Sequence, residues 1–215
     1  MKYYIFDFDG TLVDSMPDWS RKMIRVLELH GVDYPPDIIK TLTTLGDRGS
    51  ANYFREVFGV KDSVETLFSQ MDEYALPCYR DKIVLKEGAF DYLNYLKGEG
   101  YSLNVLTASP HKMLDPCLKR NGVWELFDNV WSTDDFGLPK SDTKIYHEVA
   151  GKLGIKTGDA VFFDDNIDAI KTAKASGMHT VGVYDASAES FKDDMERESD
   201  VYVMSLSELC GKEIK

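Results

Sequence analysis

The stretch YYIFDFDGTLVDS, residues 3–15, decides how the rest of the chain is interpreted. Its first four residues are large and apolar or aromatic and predict a buried strand, and two carboxylates, Asp7 and Asp9, follow directly. An ionised carboxylate without a partner is costly to bury, so two of them at the end of a buried strand indicate a functional use. Gly10 lets the chain turn sharply behind the two acids.

The composition is that of a globular protein with a sizeable core. The chain has 215 residues, 43% hydrophobic and 12% aromatic, which fits one domain or one domain with a modest insertion. Its net charge of −12 would be repelled by a nucleic-acid backbone or an anionic membrane surface. We therefore expect no nucleic-acid partner and no membrane partner; the expected assembly is a monomer or a homodimer.

Cysteine usage and the N-terminal residues favour a cytoplasmic location. The three cysteines, at positions 78, 117 and 210, are far apart and form no CxxC pair, so reduced thiols are the simplest interpretation. The short aromatic stretch before Asp7 has neither the length nor the cleavage site of a signal peptide. No apolar run approaches the length that spans a bilayer. We expect a soluble, cytoplasmic protein.

Strands and helices alternate through most of the chain. Strands are predicted at residues 3–6, 101–106, 129–132, 160–163, 180–184 and 201–204. Helices are predicted between and after them, at residues 89–97, 112–121, 142–153, 167–176 and, as a short terminal helix, near 205–210. This alternation is typical of a parallel sheet covered by helices on both faces, that is, a Rossmann-like α/β core.

Residues 15–85 depart from that alternation. Helices are predicted at residues 17–30, 36–45, 48–58 and 63–79, with breaks at Gly46, Gly59 and Pro77 and no strand signal. We therefore predict an α-helical subdomain, residues 15–85, inserted after the first strand of a core formed by residues 1–14 and 86–215.

Polar side chains collect where the predicted strands end. The second strand ends in LTAS, the fourth in FFDDNID, and the segment GLPKSD lies in the loop before the helix that leads to the fourth strand. Ligands of an open parallel sheet bind beyond the carboxyl ends of its strands. We therefore expect seven side chains on one rim of the sheet: Asp7, Asp9, Thr107, Lys140, Asp164, Asp165 and Asp168.

The charges on this rim indicate phosphate chemistry. Three or more carboxylates in one crevice repel each other unless a cation lies among them, and oxygen ligands suit Mg²⁺, which also binds phosphate oxygens. One carboxylate can then attack phosphorus, a second can protonate the leaving oxygen, and a lysine can offset the remaining negative charge.

The four motifs together resemble those of the haloacid dehalogenase-type phosphohydrolases, in order and in rough spacing, over the whole chain. DFDGTLVDS looks like the first motif of that family, LTAS like the second, GLPKSD like the third and FFDDNIDAIKTAKASGM like the fourth. The resemblance is to the subclass of phosphoglycolate phosphatase and β-phosphoglucomutase, and it implies that the helical insertion is a cap. Such a cap closes over the site and contributes to substrate choice.

The resemblance implies a catalytic role for four residues and a substrate-binding role for a fifth, Ala108. Asp7 matches the nucleophile, and Asp9 matches the general acid and base. Thr107 matches the hydroxyl that holds the phosphoryl group, assisted by the backbone amide of Ala108, and Lys140 matches the lysine that balances charge.

A Mg²⁺ site is implied by the same comparison. Asp7, the backbone carbonyl of Asp9 and Asp164 match its ligands, while Asp165 and Asp168 are candidates either for the metal or for orienting its waters. In the fourth motif, Phe163, Asp164 and Asp165 stand where the family commonly has Gly-Asp-Ser, and the extra acid leaves open which carboxylate is the inner ligand.

The resemblance also narrows the reaction. Asp9 favours phosphate ester chemistry, because dehalogenases and phosphonate-cleaving relatives lack this second acid. Mutases of the family usually carry a cap histidine near the position of Trp19. This chain has no histidine there, which weakens the interpretation as a mutase. The prediction is a Mg²⁺-dependent phosphatase that hydrolyses a small phosphorylated metabolite through an aspartyl-phosphate. A sugar phosphomutase and a non-catalytic phosphate-binding regulatory protein are the alternatives.

Simpler interpretations remain open for single residues. Asp164 and Asp165 could cap the next helix, and Lys144 is the nearest rival to Lys140. In the helical insertion, Arg48 lies between two glycines, where relatives have a loop that contacts the leaving group. Arg48 could therefore bind an anionic group of the substrate, or it could be a surface arginine in a salt bridge.

Overall fold

The computed structural model describes residues 3–212 and residue 214. The chain forms two compact units: one comprises the residues up to Asp14 together with those from Ile83 onward, and the other is Ser15–Lys82. The second boundary falls before residue 85, because the returning chain already pairs with the loop after the first strand. Leu85 forms an antiparallel bridge with Val13, and the Lys86 amide donates to the Leu12 carbonyl at 2.9 Å.

The first unit contains one parallel sheet, which confirms the predicted Rossmann-like α/β class. Its strand order is β3-β2-β1-β4-β5-β6, and every neighbouring pair is parallel. The strands in the described residues are β1 (Tyr3–Phe6), β2 (Ser102–Thr107), β3 (Asn129–Ser132), β4 (Ala160–Asp164), β5 (His179–Val183) and β6 (Val201–Val203). The order changes direction beside β1, which pairs with β2 on one side and β4 on the other, so the crevice where ligands bind in such sheets lies at β1.

The sequence of β1 alternates between the two faces of the sheet. On one face, Ile5 joins a buried cluster with Phe162 and with Tyr146, whose rings meet edge to face at 5.2 Å. On the other face, Phe6 stacks on Phe163 with ring centres 4.4 Å apart. Burial of each such side chain stabilises the fold by about 1.5–3 kcal/mol. Both faces of β1 are therefore anchored, which leaves the residues at its carboxyl end little freedom.

Within residues 3–212 the structure has eight α-helices. They are α1 (Met16–Leu29), α2 (Ile38–Glu56), α3 (Val64–Asp81), α4 (Ala89–Gly98), α5 (His111–Arg120), α6 (Thr143–Leu153), α7 (Ile167–Ala175) and α8 (Lys192–Glu198). Helices α4 to α7 each begin and end within one residue of the prediction. The sequence did not predict α8, because KDDMERE offers a single apolar residue, the buried Met195, and so no periodicity. The short helix expected near the C-terminus is a 3₁₀ turn, Leu206–Leu209.

The second unit is formed by helices α1, α2 and α3, and its described residues contain no strand, as predicted. Its core includes Met23, Leu27, Leu42, Phe54 and Leu67 from α1, α2 and α3. The break expected at Gly46 is present, since this residue leaves helical geometry with φ 64° and ψ −176°. The break expected at Pro77 is wrong.

Helix α3 continues through Pro77 to Asp81. Proline removes one helical hydrogen bond and usually kinks or ends a helix. Here the two residues that follow it, Cys78 and Tyr79, are buried, so tertiary packing holds the last turn in place.

Among the described residues, no helix combines the length and the apolar character needed to cross a bilayer. All three cysteines are free thiols.

Candidate active site

Three carboxylates converge at the carboxyl ends of β1 and β4. Phe6 pairs with Phe163 across the two strands, so Asp7 and Asp164 leave the sheet at the same level. One oxygen each of Asp7, Asp164 and Asp165 lies within 4.8 Å of the others. The three residues are 5%, 0% and 7% exposed. The structure thus brings together Asp7, Asp164 and Asp165, three of the acids that the sequence places on one rim.

Lys140 is the cation that faces this group. Its Nζ lies 2.7 Å from Asp7 Oδ1 and 2.7 Å from Asp164 Oδ2. The contact with Asp164 is a hydrogen bond, and the contact with Asp7 is an ion pair. Tyr146 fixes the backbone here, because its hydroxyl donates to the Lys140 carbonyl at 2.9 Å. Lys144 is exposed on α6, so it is Lys140 that reaches the carboxylates.

The electrostatics of the group favour a bound cation. Burial raises the pKa of Asp7 to about 7, with a smaller contribution from Asp164 and against the opposing effect of Lys140. Burial, together with the charges of Asp164 and Asp7, also raises the pKa of Asp165 well above its usual range. Although burial alone would lower it, the charges of Asp164 and Asp7 raise the pKa of Lys140. One ammonium thus does not balance three ionised carboxylates, and an all-oxygen donor set of this kind suits Mg²⁺.

The turn after Asp9 packs directly against Asp165. Gly10 has φ +75°, and a Cβ at this position would lie 2.4 Å from Asp165 Oδ2. Thr11 Oγ1 donates to Asp165 Oδ1 at 3.0 Å. The glycine and threonine of the first motif therefore hold the extra acid of the fourth. We did not single out Thr11 from the sequence, although it lies within the quoted first motif.

Asp9 lies outside the group of three and is held separately. Ser109 Oγ donates a short hydrogen bond to Asp9 Oδ2. Ser109 is a site residue that the sequence reasoning passed over; its only signal was its place as the last residue of LTAS. The roles of Asp9 as acid and base, and of its carbonyl as a metal ligand, stay predictions.

The remaining residues of the second motif occupy the loop after β2. Thr107 is buried at the end of that strand, and its Oγ1 accepts a hydrogen bond from the Ser109 amide at 3.1 Å. Ala108 between them is exposed. Their proposed part in holding the phosphoryl group stays a prediction.

The start of helix α7 separates the acids of the fourth motif. Asn166 caps this helix, since its side chain accepts from the amides of Asp168 and Ala169. Asp164 instead accepts from the Asn166 amide at 2.7 Å and from Lys140. Asp168 is exposed in the first turn and is not one of the three clustered carboxylates. Asp164 and Asp165 are thus not helix caps.

Arg48 belongs to the helical unit and is described within it. The guanidinium lies over the ring of Phe68, 5.5 Å from its centre, and the residue is exposed. Asp47 beside it accepts hydrogen bonds from Lys22 Nζ at 2.8 Å and from Trp19 Nε1 at 3.1 Å. These contacts tie the helix break at Gly46 to α1. The predicted contact of Arg48 with a substrate stays a prediction.

Comparison with known proteins places the chain in a family. The sequence profile described as haloacid dehalogenase-like hydrolase matches residues 4–183. A validoxylamine A 7'-phosphate phosphatase from Streptomyces hygroscopicus subsp. limoneus is 27% identical over 212 residues, which is 97% of this chain and 95% of that protein. A phosphoglycolate phosphatase from Psychrobacter arcticus is 28% identical over 189 residues, which is 83% of this chain and 81% of that protein.

A solved structure shares the fold. The CbbY protein of Rhodobacter sphaeroides, a mutant in complex with xylulose-(1,5)bisphosphate, superposes with a TM-score of 0.84 at 20% identity, and the match covers 97% of this chain and 96% of that one. The profile match spans all four motifs that carry the resemblance, and the fold agrees with it. This chain is a member of the haloacid dehalogenase-like hydrolase family.

Proposed function

We propose that the protein is a Mg²⁺-dependent phosphatase that hydrolyses a small phosphorylated metabolite through an aspartyl-phosphate on Asp7. The observation that carries this proposal is the position of Asp7, which is buried beside Asp164, Asp165 and Lys140. The two relatives named above are both phosphatases of small phosphorylated compounds, which supports the same reaction class for this chain.

In the first step, a carboxylate oxygen of Asp7 attacks phosphorus, and the bond between phosphorus and the ester oxygen breaks. Asp9 gives its proton to the departing oxygen, so the alcohol leaves neutral. Thr107 Oγ1 and the Ala108 amide would bind the phosphoryl oxygens at the end of β2.

In the second step, water attacks the phosphorus of the aspartyl-phosphate. Asp9 accepts a proton from that water, the bond between phosphorus and the Asp7 oxygen breaks, and inorganic phosphate leaves. Asp7 and Asp9 then return to their initial protonation states. Lys140 stays charged throughout and stabilises the negative charge shared by Asp7 and Asp164.

Asp7, Asp164 and Asp165 would hold the Mg²⁺ ion, with the Asp9 carbonyl as a further predicted ligand. When bound, Mg²⁺ neutralises these carboxylates and lets a dianionic phosphate approach them. The helical unit is proposed as the cap that selects the substrate.

The test is phosphate release from p-nitrophenyl phosphate and from a panel of phosphorylated short acids, sugars and sugar alcohols, with Mg²⁺ and with EDTA. We expect release that requires Mg²⁺ and disappears in Asp7→Asn. Asp193→Asn, at an exposed position in the first turn of α8, is the matched control and should keep wild-type turnover.

Circular dichroism of both variants is the check that each of them is folded. Wild-type turnover by Asp7→Asn would overturn the mechanism. Retention of the phosphoryl group on the product would indicate the mutase alternative, and absence of release from the whole panel would indicate a regulatory binding protein.

A further inference from the structure

Lys86 is a largely buried lysine that the proposed mechanism does not use. It follows the bridge between Val13 and Leu85 at the start of the return to the core, and its side chain is 17% exposed. Its Nζ donates to the Gly10 carbonyl at 2.6 Å, to the Tyr184 carbonyl at 2.6 Å and to Asp185 Oδ2 at 2.9 Å. An ammonium group has three N–H bonds, so these acceptors use its full donor capacity.

The three acceptors come from two separate loops. Gly10 lies in the turn that follows β1, whereas Tyr184 and Asp185 come directly after β5. Asp185 is itself fixed, because its Oδ1 accepts from the Ser187 amide at 2.9 Å and from the Ser187 hydroxyl at 2.7 Å. Lys86 therefore ties the turn after β1 to an anchored point at the carboxyl end of β5.

The turn at Gly10 also packs against the Asp165 side chain. A Cβ on Gly10 would lie 2.4 Å from Asp165 Oδ2, so the backbone and the carboxylate are already in close contact. Thr11, the next residue, donates its hydroxyl to Asp165 Oδ1 at 3.0 Å. A shift of the Gly10 backbone would remove its close contact with Asp165 and change the geometry of the hydrogen bond from Thr11.

We propose that Lys86 is a positioning residue for the metal site: it holds the turn at Gly10 and Thr11 against Asp165 and so places that carboxylate beside Asp7 and Asp164. This inference rests on the proposed function in one respect, namely that the three carboxylates bind the cation. A buried ion pair by itself adds little net stability, because the desolvation of both charges offsets their attraction. A convergence of three acceptors from two loops fits a role in geometry.

The test measures Mg²⁺ binding directly, by calorimetric titration of the full-length protein with Mg²⁺ and without substrate. In Lys86→Met, which keeps much of the aliphatic stem and removes the ammonium, we expect the affinity for Mg²⁺ to fall by about tenfold, as when a group that supports a metal ligand is lost. The matched control is Lys174→Met. Lys174 pairs with Asp200 at 2.8 Å and donates to the Glu198 carbonyl, contacts that do not involve the three carboxylates.

We expect Lys174→Met to bind Mg²⁺ like the wild type. A folded Lys86→Met protein with wild-type Mg²⁺ affinity would overturn the inference. Should that variant not fold, Lys86→Arg provides the test, because a planar guanidinium keeps the charge but cannot direct three donors from one atom. A folded arginine variant with unchanged Mg²⁺ affinity would likewise overturn the role.

Titration separates this inference from the proposed function. Weakened Mg²⁺ binding in the Lys86 variant of a protein that hydrolyses no phosphate ester would support the positioning role and contradict the phosphatase. Hydrolysis by the wild type with undiminished Mg²⁺ affinity in the variant would support the phosphatase and contradict the positioning role.

Discussion

Lys140 Nζ lies 2.7 Å from Asp7 Oδ1 at the carboxyl end of the first strand, where the Asp7 side chain is buried and that of Lys140 is 14% exposed. Burial raises the pKa of Asp7 to about 7, and Lys140 opposes that rise. A nucleophilic carboxylate must be ionised to attack, so the lysine favours the reactive form of its neighbour. Lys140 contacts both Asp7 and Asp164, so the proposed chemistry requires this lysine as well as the two acids.

Lys140→Met should leave two buried carboxylates without their cation. We expect kcat/KM for p-nitrophenyl phosphate to fall by about 10²–10³-fold, as when one preorganised donor is removed. Lys144→Met changes an exposed lysine four positions further along and should keep wild-type kinetics. Wild-type kcat/KM in the Lys140 variant would contradict its assigned role.

Asp9→Asn should slow the second proposed step far more than the first when p-nitrophenyl phosphate is the substrate. The p-nitrophenolate leaving group needs no proton, so Asp7 is still phosphorylated. Hydrolysis of the aspartyl-phosphate, in contrast, loses its general base. We expect kcat to fall by about 10²–10⁴-fold and phosphorylated Asp7 to accumulate, which intact-mass spectrometry would detect. Ser109→Ala removes only the hydrogen bond to Asp9 and should be affected far less. An Asp9→Asn protein that turns over normally would refute the assignment.

Gly10→Ala should destabilise the core through backbone strain and through a clash of the new Cβ with Asp165. The residue has φ +75°, and its new Cβ would lie 2.4 Å from Asp165 Oδ2. Gly122→Ala provides the matched control, because Gly122 has φ +72° but nothing within 4 Å of an added Cβ. The backbone effect alone should cost about 1–2 kcal/mol in both variants. A lower Tm for Gly10→Ala than for Gly122→Ala, measured by calorimetry, would reveal the contact with Asp165; equal Tm values would contradict it.

His111 should make a small contribution to stability that depends on pH. Its ring hydrogen bonds to Asp115 at 2.7 Å and Asp135 at 2.9 Å raise the pKa of His111 in the folded protein. A raised folded-state pKa means that the contribution is fully present below the unfolded value of about 6.5 and disappears as pH rises through the folded value. Because these groups are partly exposed, we expect less than about 1 kcal/mol.

The measurement for His111 is its ring titration by NMR, with urea unfolding of His111→Gln on both sides of the transition. The substitution should lower the free energy of unfolding in acid more than in alkali. A folded-state pKa at or below that of a free histidine would contradict the expected sign.

Arg48→Ala tests the proposed cap. If Arg48 binds a second anionic group of the substrate, KM should rise by about tenfold or more for phosphorylated acids, since hydrogen bonds to charged groups are worth about 1.5–3 kcal/mol. KM for p-nitrophenyl phosphate, which has no such group, should not change. Arg55→Ala, an exposed arginine on the same helix, is the control. Equal KM values for phosphorylated acids in the wild type and in Arg48→Ala would contradict a contact between Arg48 and the substrate.

Local sequence determined the sheet of this protein and the acids at its edge. The apolar runs at β1 and β4 mark buried strands, because buried parallel strands carry a strong local signal. The edge strand β3 also occupies the predicted residues 129–132, although most of its residues are only partly buried. Asp7 follows β1 and Asp164 ends β4, and these positions predicted that both acids lie on one rim of the sheet without knowledge of any contact. Apolar residues three or four positions apart predicted helices α4 and α6 in the same local way.

Which of these polar residues meet depends on contacts formed in the folded protein. Asp165 joins the carboxylate group and Asp168 does not, although both stand in the same motif. Thr11 reaches Asp165 across 154 positions, and Lys86 reaches Gly10 across 76. Continuation of α3 through Pro77 likewise depends on burial beyond the proline. Such contacts join residues far apart in the chain and form only when the folded core brings their partners together and excludes water. No local pattern of residues therefore records them.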